Sequence, residues 1–339
     1  MKESPIIIPD SSFIEQFKKE ERPKKAGPTV VRVDGHVDLP HYLMSHEVDQ
    51  PFSKLSEGPF TLQKAKAAGI RLFCTALYCS DRYNGEGSEG HYQEILDLTL
   101  RHLDTVQVVT QKDHLKQLWE DENLICTILL LENADFLATS SELITQIVAD
   151  GIRIVGLTHA GKNRLGDGNA VAFPDGLTDK GKEVAQALHQ NNVIIDTAHL
   201  HPRSFWQLLD VSEGPLICSH TGVREVYNIP RNVGLDQVKE ILQRQGVIGI
   251  SLNPEMLWPE EKVDVETVFV HVDTIVQKYG AEAVGIGSDL GGFEKAPEAL
   301  REPGVVEKLE GIMRSHGYDE KAVEAITGGN WLRFFEQNL

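Results

Sequence analysis

Short apolar, β-branched runs recur along the chain from residue 29 onward: TVVRVDGHVDL (29–39), GIRLFCTALYC (69–79), LICTILLLE (124–132), GIRIVGLTH (151–159), NVIIDTAH (192–199), PLICSH (215–220), GVIGISLN (246–253) and AVGIGSD (283–289). Between most of them lie segments with helical periodicity, among them 178–190, 235–245 and 265–279. Strands that are apolar almost throughout, rather than at alternate positions, are buried on both faces. That is the mark of a parallel sheet whose outer face is covered by helices. Eight such runs predict an α/β chain closed into a (β/α)8 TIM barrel, a single domain over 29–339. The longest interval, 80–123, contains GEGSEGH and predicts a surface loop in front of a helix. Residues 1–28 read as an N-terminal extension. In it Asp10, Ser11 and Ser12 offer N-cap chemistry for a short amphipathic helix, and ERPKKAGP resembles a linker.

Composition narrows the partners. The 339 residues carry 33 Lys+Arg against 51 Asp+Glu, a formal charge of −18. That balance argues against nucleic acid and against an anionic membrane surface, both of which are recognised by basic patches. An apolar share of 41% with 25% charged residues is that of a globular protein. No run approaches the length of a membrane-spanning helix. The opening MKESPIIIPDSSF is too short and too interrupted for a signal-peptide core, so cytoplasm is the expected location. Four cysteines (Cys74, Cys79, Cys126 and Cys218) are few, and three lie in apolar runs, which predicts buried free thiols. A homodimer is left open.

Ionisable residues collect at the C-terminal ends of six of the eight runs: His36 and Asp38, Glu132, His159, His199, His220 and Asp289. In a barrel that edge carries the active site. Alternation along a strand would point His36 and Asp38 the same way, able to grip one cation, and imidazole with carboxylate suits zinc better than magnesium or calcium. His199 and His220 offer a second imidazole pair, Glu132 has two oxygens that could bridge two ions, and Asp289 remains for proton transfer. Taken singly, each has a plainer reading: solvation of a strand end for His36 and Asp38, a helix cap for Glu132, a satisfied polar group for His159. The other nine histidines (His41, His46, His91, His102, His114, His189, His201, His271 and His316) fall on loops or helices and are expected to serve surface or packing roles.

These residues resemble a known family. DGHVDLP (34–40) is similar to the DGHNDLP opening of the membrane (renal) dipeptidases, peptidase family M19 of the amidohydrolase superfamily. The resemblance continues through Asn163, IIDTAH, CSHTGVREVYNIPRN (218–232), GIGSDLGG (285–292) and GGNWLRFF (328–335). It implies that His36, Asp38 and Glu132 hold one zinc, and that Glu132, His199 and His220 hold a second. It further implies that Asp289 is the acid/base, that His159 contacts the scissile carbonyl oxygen, and that Arg231 binds the substrate carboxylate. The expected activity is hydrolysis of dipeptides, with a D-residue admissible at the C-terminal position, through a hydroxide shared by two Zn2+ per chain. The alternatives are the same site acting on another small amide (a β-lactam or an N-acyl amino acid) or a metal-bearing binding protein without turnover. Three departures, Val37 for Asn, Asn133 for Gly and Gly291 for Asp, touch the barrel mouth and bear on substrate choice.

Overall fold

The computed structural model describes residues 31–259 and 263–339. The N-terminal extension and the helix expected in it lie outside those residues. Each of the eight apolar runs contains a strand: β1 (Arg32–Val37), β2 (Ile70–Tyr78), β4 (Cys126–Glu132), β5 (Ile152–Gly156), β6 (Ile194–Asp196), β7 (Leu216–Thr221), β8 (Ile248–Ile250) and β9 (Val284–Ile286). All pair in parallel, each with its neighbour in that order, and β9 returns to β1. The result is a closed (β/α)8 barrel. A two-residue strand, β3 (Gln107–Val108), pairs with Cys126 and Thr127 at the start of the β4 edge that β5 takes over from Leu129.

The interval 80–123 is more ordered than its composition suggests. GEGSEGH straddles the start of the helix Ser88–His102: residues 85–87 precede it as a loop, as expected, while 88–91 form its first turn, and β3 and a second helix, Lys112–Glu120, follow. The helical periods at 178–190, 235–245 and 265–279 appear as Asp179–Gln190, Leu235–Gln243 and Val265–Tyr279.

Strand alternation divides the core in two. In β2 and β4, Leu72, Cys74, Ala76, Cys126, Ile128 and Leu130 join the cluster inside the barrel, whereas Phe73, Leu77, Leu129 and Leu131 join the larger cluster between strands and helices. Continuing the inner parity by one step aims Tyr78 and Glu132 at the barrel mouth. Trp331, from the C-terminal helix Asn330–Asn338, is fully buried in the inner cluster and donates from Nε1 to the Ile286 carbonyl at 2.9 Å. It occupies space that Gly35 leaves free, since a Cβ there would lie 2.4 Å from the indole. All four cysteines are buried free thiols, as their apolar settings predict. Among the described residues no helix is long and apolar enough to cross a membrane.

Candidate metal centre

The ionisable residues do meet at one end of the barrel, but strand alternation is not what brings them there. β1 ends at Val37, and Asp38 is the N-cap of the helix Leu39–Ser45, so a bend turns its carboxylate toward His36. His36 Nε2 and Asp38 Oδ2 lie 3.3 Å apart. His159, His199 and Asp289 stand three residues beyond the ends of β5, β6 and β9, on turns. His199 and Asp289 each take φ 64°, a left-handed conformation that costs a non-glycine residue of order 1–3 kcal/mol and persists only where the surroundings enforce it. His36, Glu132 and His220 project from strands as the runs predict.

Five side chains form two overlapping ligand sets that share Glu132. His36, Asp38 and Glu132 bring one donor atom each to within 4.8 Å of one another, and so do Glu132, His199 and His220. The carboxylate of Glu132 faces both: Oε2 lies 4.0 Å from His36 Nε2, while Oε1 lies 3.0 Å from His199 Nε2 and 3.8 Å from His220 Nε2. The Nε2 atoms of His199 and His220 converge at 3.1 Å.

The electrostatics ask for cations. Burial, and then the neighbouring Asp38 charge, hold the Asp289 carboxyl well above the usual carboxylate range. Burial keeps His199 and His220 neutral, reinforced by Arg231 and by the adjacent imidazoles, which is the form a metal ligand needs. Burial would do the same to His36, but Asp38, Glu132 and Asp289 outweigh it and push the imidazole up to about 10. Its proton therefore takes the part that a divalent cation would play among those carboxylates. His36 Nε2 is nonetheless buried with no hydrogen-bond partner. Nitrogen and oxygen donors in sets of three, each leaving coordination positions free, fit zinc-like divalent ions.

A cavity of about 360 Å³ opens over this centre. It is lined by the predicted residues Asp38, Glu132, His159, His199, His220, Arg231 and Asp289, by Tyr78 and Asn253, which a search for His, Asp and Glu overlooks, and by His41, expected only in a surface or packing role. Tyr78 ends β2 and Asn253 follows β8, so the two strands without an ionisable terminus still contribute to the mouth. Asn253 Nδ2 donates to Asp289 Oδ2 at 3.0 Å. His41 is not merely a surface group; it meets the Tyr78 ring edge-on at 5.2 Å. By contrast His271 has the packing role expected of it, bonded through Nδ1 to the Val223 amide and through Nε2 to the Leu257 carbonyl.

Two supports come from loops. His159 Nδ1 lies 3.1 Å from Asp81 Oδ2, which also accepts from the Gly161 amide. Asn133 takes φ 69°, a conformation that asparagine tolerates better than most residues, so it can stand where the family pattern that the chain resembles has glycine. Its side chain does more than fit: Nδ2 donates to the Cys79 carbonyl and to Asn84, and Oδ1 accepts from Asn163, tying together the loops that follow β2, β4 and β5. Of the other departures, Val37 is fully buried in the outer cluster, and Gly291 lies on the backbone of Asp38, where a Cβ would come within 2.6 Å of the carbonyl oxygen.

Comparison with known proteins agrees with the arrangement. The membrane dipeptidase (peptidase family M19) model matches residues 23–338. An uncharacterised dipeptidase of Schizosaccharomyces pombe is 25% identical over 90% of this chain and 80% of its own. Dipeptidase tcpJ of Claviceps purpurea is 26% identical over 90% of this chain and 76% of its own. A crystal structure of a metallopeptidase from Rhodobacter sphaeroides, liganded with a phosphinate mimic of the dipeptide L-Ala-D-Ala, superposes with a TM-score of 0.81 at 19% identity, covering 92% of this chain and all of that one.

Gly292 gives the geometry a direct test. A Cβ built there would lie 2.4 Å from Asp289 Oδ1 and 2.5 Å from Asp38 Oδ2. Gly292→Ala is expected to displace a ligand oxygen and weaken divalent-metal affinity by about tenfold or more, equivalent to roughly 1.4 kcal/mol. Titration of metal-free protein against a chelating indicator measures this, and an unchanged affinity in a folded variant would refute the close approach.

Proposed function

The chain belongs to the membrane dipeptidase family, peptidase family M19, which makes it a metal-dependent hydrolase acting on dipeptides, and on that premise we propose that two zinc ions serve the reaction in the cavity that Glu132 lines. The observation that carries this reading is the position of Glu132, one oxygen toward His36 and the other toward His199 and His220. His36 and Asp38 would hold one ion, His199 and His220 the other, with Glu132 between them. When bound, such ions lower the pKa of a water and polarise a carbonyl oxygen.

The remaining steps fall to side chains of the chain itself. Asp289 lies against Asp38 and is oriented by Asn253, so it can accept a proton from the attacking water and deliver it to the leaving amine. His159, held by Asp81, lies on the cavity wall and would donate to the oxygen that gains negative charge at the scissile carbon. Arg231 lies at the same wall with its Nε buried and unpartnered, and its Nη2 is 3.1 Å from His199 Nε2. A cation on that nitrogen would repel the guanidinium and free it to pair with the substrate carboxylate, a bidentate match that lysine could not supply. Capture of the free carboxylate supports dipeptides over longer chains. The mimic bound by the Rhodobacter protein supports admitting a D-residue at that end.

A panel of dipeptides with L and D C-terminal residues, assayed with added Zn2+, tests the activity directly. Within it, Arg231→Ala should lower kcat/KM by about 100-fold, the equivalent of roughly 3 kcal/mol for a charge-assisted pair, and C-terminal amides should be similarly poor substrates of the parent protein. Equal turnover of acid and amide would turn the reading toward another small amide.

Asp289 also lies within ligand distance of His36 and His220, which supports a second reading of it as a ligand. Asp289→Asn separates the two. The proton-transfer role predicts a fall in kcat of about 10²–10⁴-fold with both metals retained. Loss of metal together with activity would make Asp289 a ligand, and full activity would refute both roles.

A further inference from the structure

Beneath the two ligand sets, a single hydroxyl touches one imidazole of each. Ser219 Oγ lies 3.0 Å from His36 Nδ1 and 2.9 Å from His220 Nδ1, and it donates to Asp196 Oδ2 at 2.5 Å. Ser219 and Asp196 are both buried. A serine hydroxyl has one proton to give and two lone pairs to receive. Asp196 accepts at each of these contacts: burial pushes its carboxyl up, but the hydroxyl and amide of Ser219 and the amide of Ala198 all donate to it and favour the carboxylate. The serine proton is therefore committed to Asp196, and both lone pairs are left for the two imidazoles. Each imidazole must then carry a proton on Nδ1, so that a cation taking the place of the second proton on His36 meets an Nε2 lone pair there, as it does on His220. Were the serine to donate to either ring instead, that ring would carry its proton on Nε2 and could not bind a cation there.

From this proton count we infer that Ser219 and Asp196 are positioning residues shared by both metal sites, setting the tautomer of His36 in one and of His220 in the other through one hydroxyl. This rests on the two-site reading of Glu132 but adds a second link between the sites, on the opposite side of the imidazoles from the metals. His199 has no such support, since its Nδ1 is buried without a partner. The two sites thus depend on one residue that touches neither ion.

The test is the metal affinity of both sites, read without reference to turnover. Metal-free wild type, Ser219→Ala and Asp196→Asn are titrated with Zn2+ against a chelating indicator, with the melting temperature of each metal-free protein recorded alongside. Asp196→Asn is nearly isosteric and touches neither imidazole, yet its amide cannot accept from Ser219 Oγ and from both backbone amides together. Loss of an outer hydrogen bond to a ligating histidine costs about 10–100-fold in affinity. The expected result is a loss of that size at both sites in each variant that folds. Weakening of one site alone, or of neither, overturns the inference. Failure of the wild type to take up two ions would instead overturn the two-site reading on which it rests.

Discussion

Asp38, Glu132 and Asp289 place three carboxylates around one cavity, each about 95% buried. Ionised carboxylates out of water are costly unless paired, and of the imidazoles beside them burial keeps His199 and His220 from charging while His36 takes up a proton. Without a cation, the strain shows as a proton held on His36 and another pressed onto Asp289. The rest of the mouth follows from accommodating that charge. Gly292 leaves room for two of the carboxylates, Asn253 orients one of them, and neutral His199 and His220 turn nitrogen donors inward.

The barrel makes such a concentration of charge affordable by separating it from the apolar core. The strand interiors are filled by Val, Ile, Leu and Trp331, while the reactive groups stand at the strand ends (His36, Glu132 and His220) or on the bends and turns just past them. Left-handed backbone at Asn133, His199 and Asp289 is held in place by hydrogen bonds from neighbouring loops and strands. The fold supplies stiffness, and the turns supply direction.

Much of this was legible in the sequence, for reasons particular to each element. The eight strands showed because parallel strands covered on both faces lose nearly all polar alternation, as in CTILLLE of β4. The clustering of His36, Asp38, Glu132, His199, His220 and Asp289 showed because one barrel edge collects every strand end. The means of convergence did not show: Asp38, His199 and Asp289 lie on bends, and nothing in IIDTAH or GIGSD marks where the strand stops. Arg231 could be singled out only through its resemblance to a family motif. Asp81, Ser219 and Asn253 were missed, and Asn133 stood out only as a departure from the family pattern, because their parts depend on hydrogen bonds between loops distant in sequence. Tyr78 escaped because an aromatic ending an apolar run reads as core. GEGSEGH read as a loop because three glycines outweighed the helix start at Ser88.

On the proposed reading, the buried carboxylates and imidazoles hold a pair of ions that share Glu132. Crystals of the zinc-loaded protein, measured with X-rays on either side of the zinc absorption edge, would locate those ions directly. Two anomalous peaks are expected to flank the Glu132 carboxylate, one against His36 and Asp38, the other against His199 and His220. A single peak, or two peaks that do not share Glu132, would contradict it.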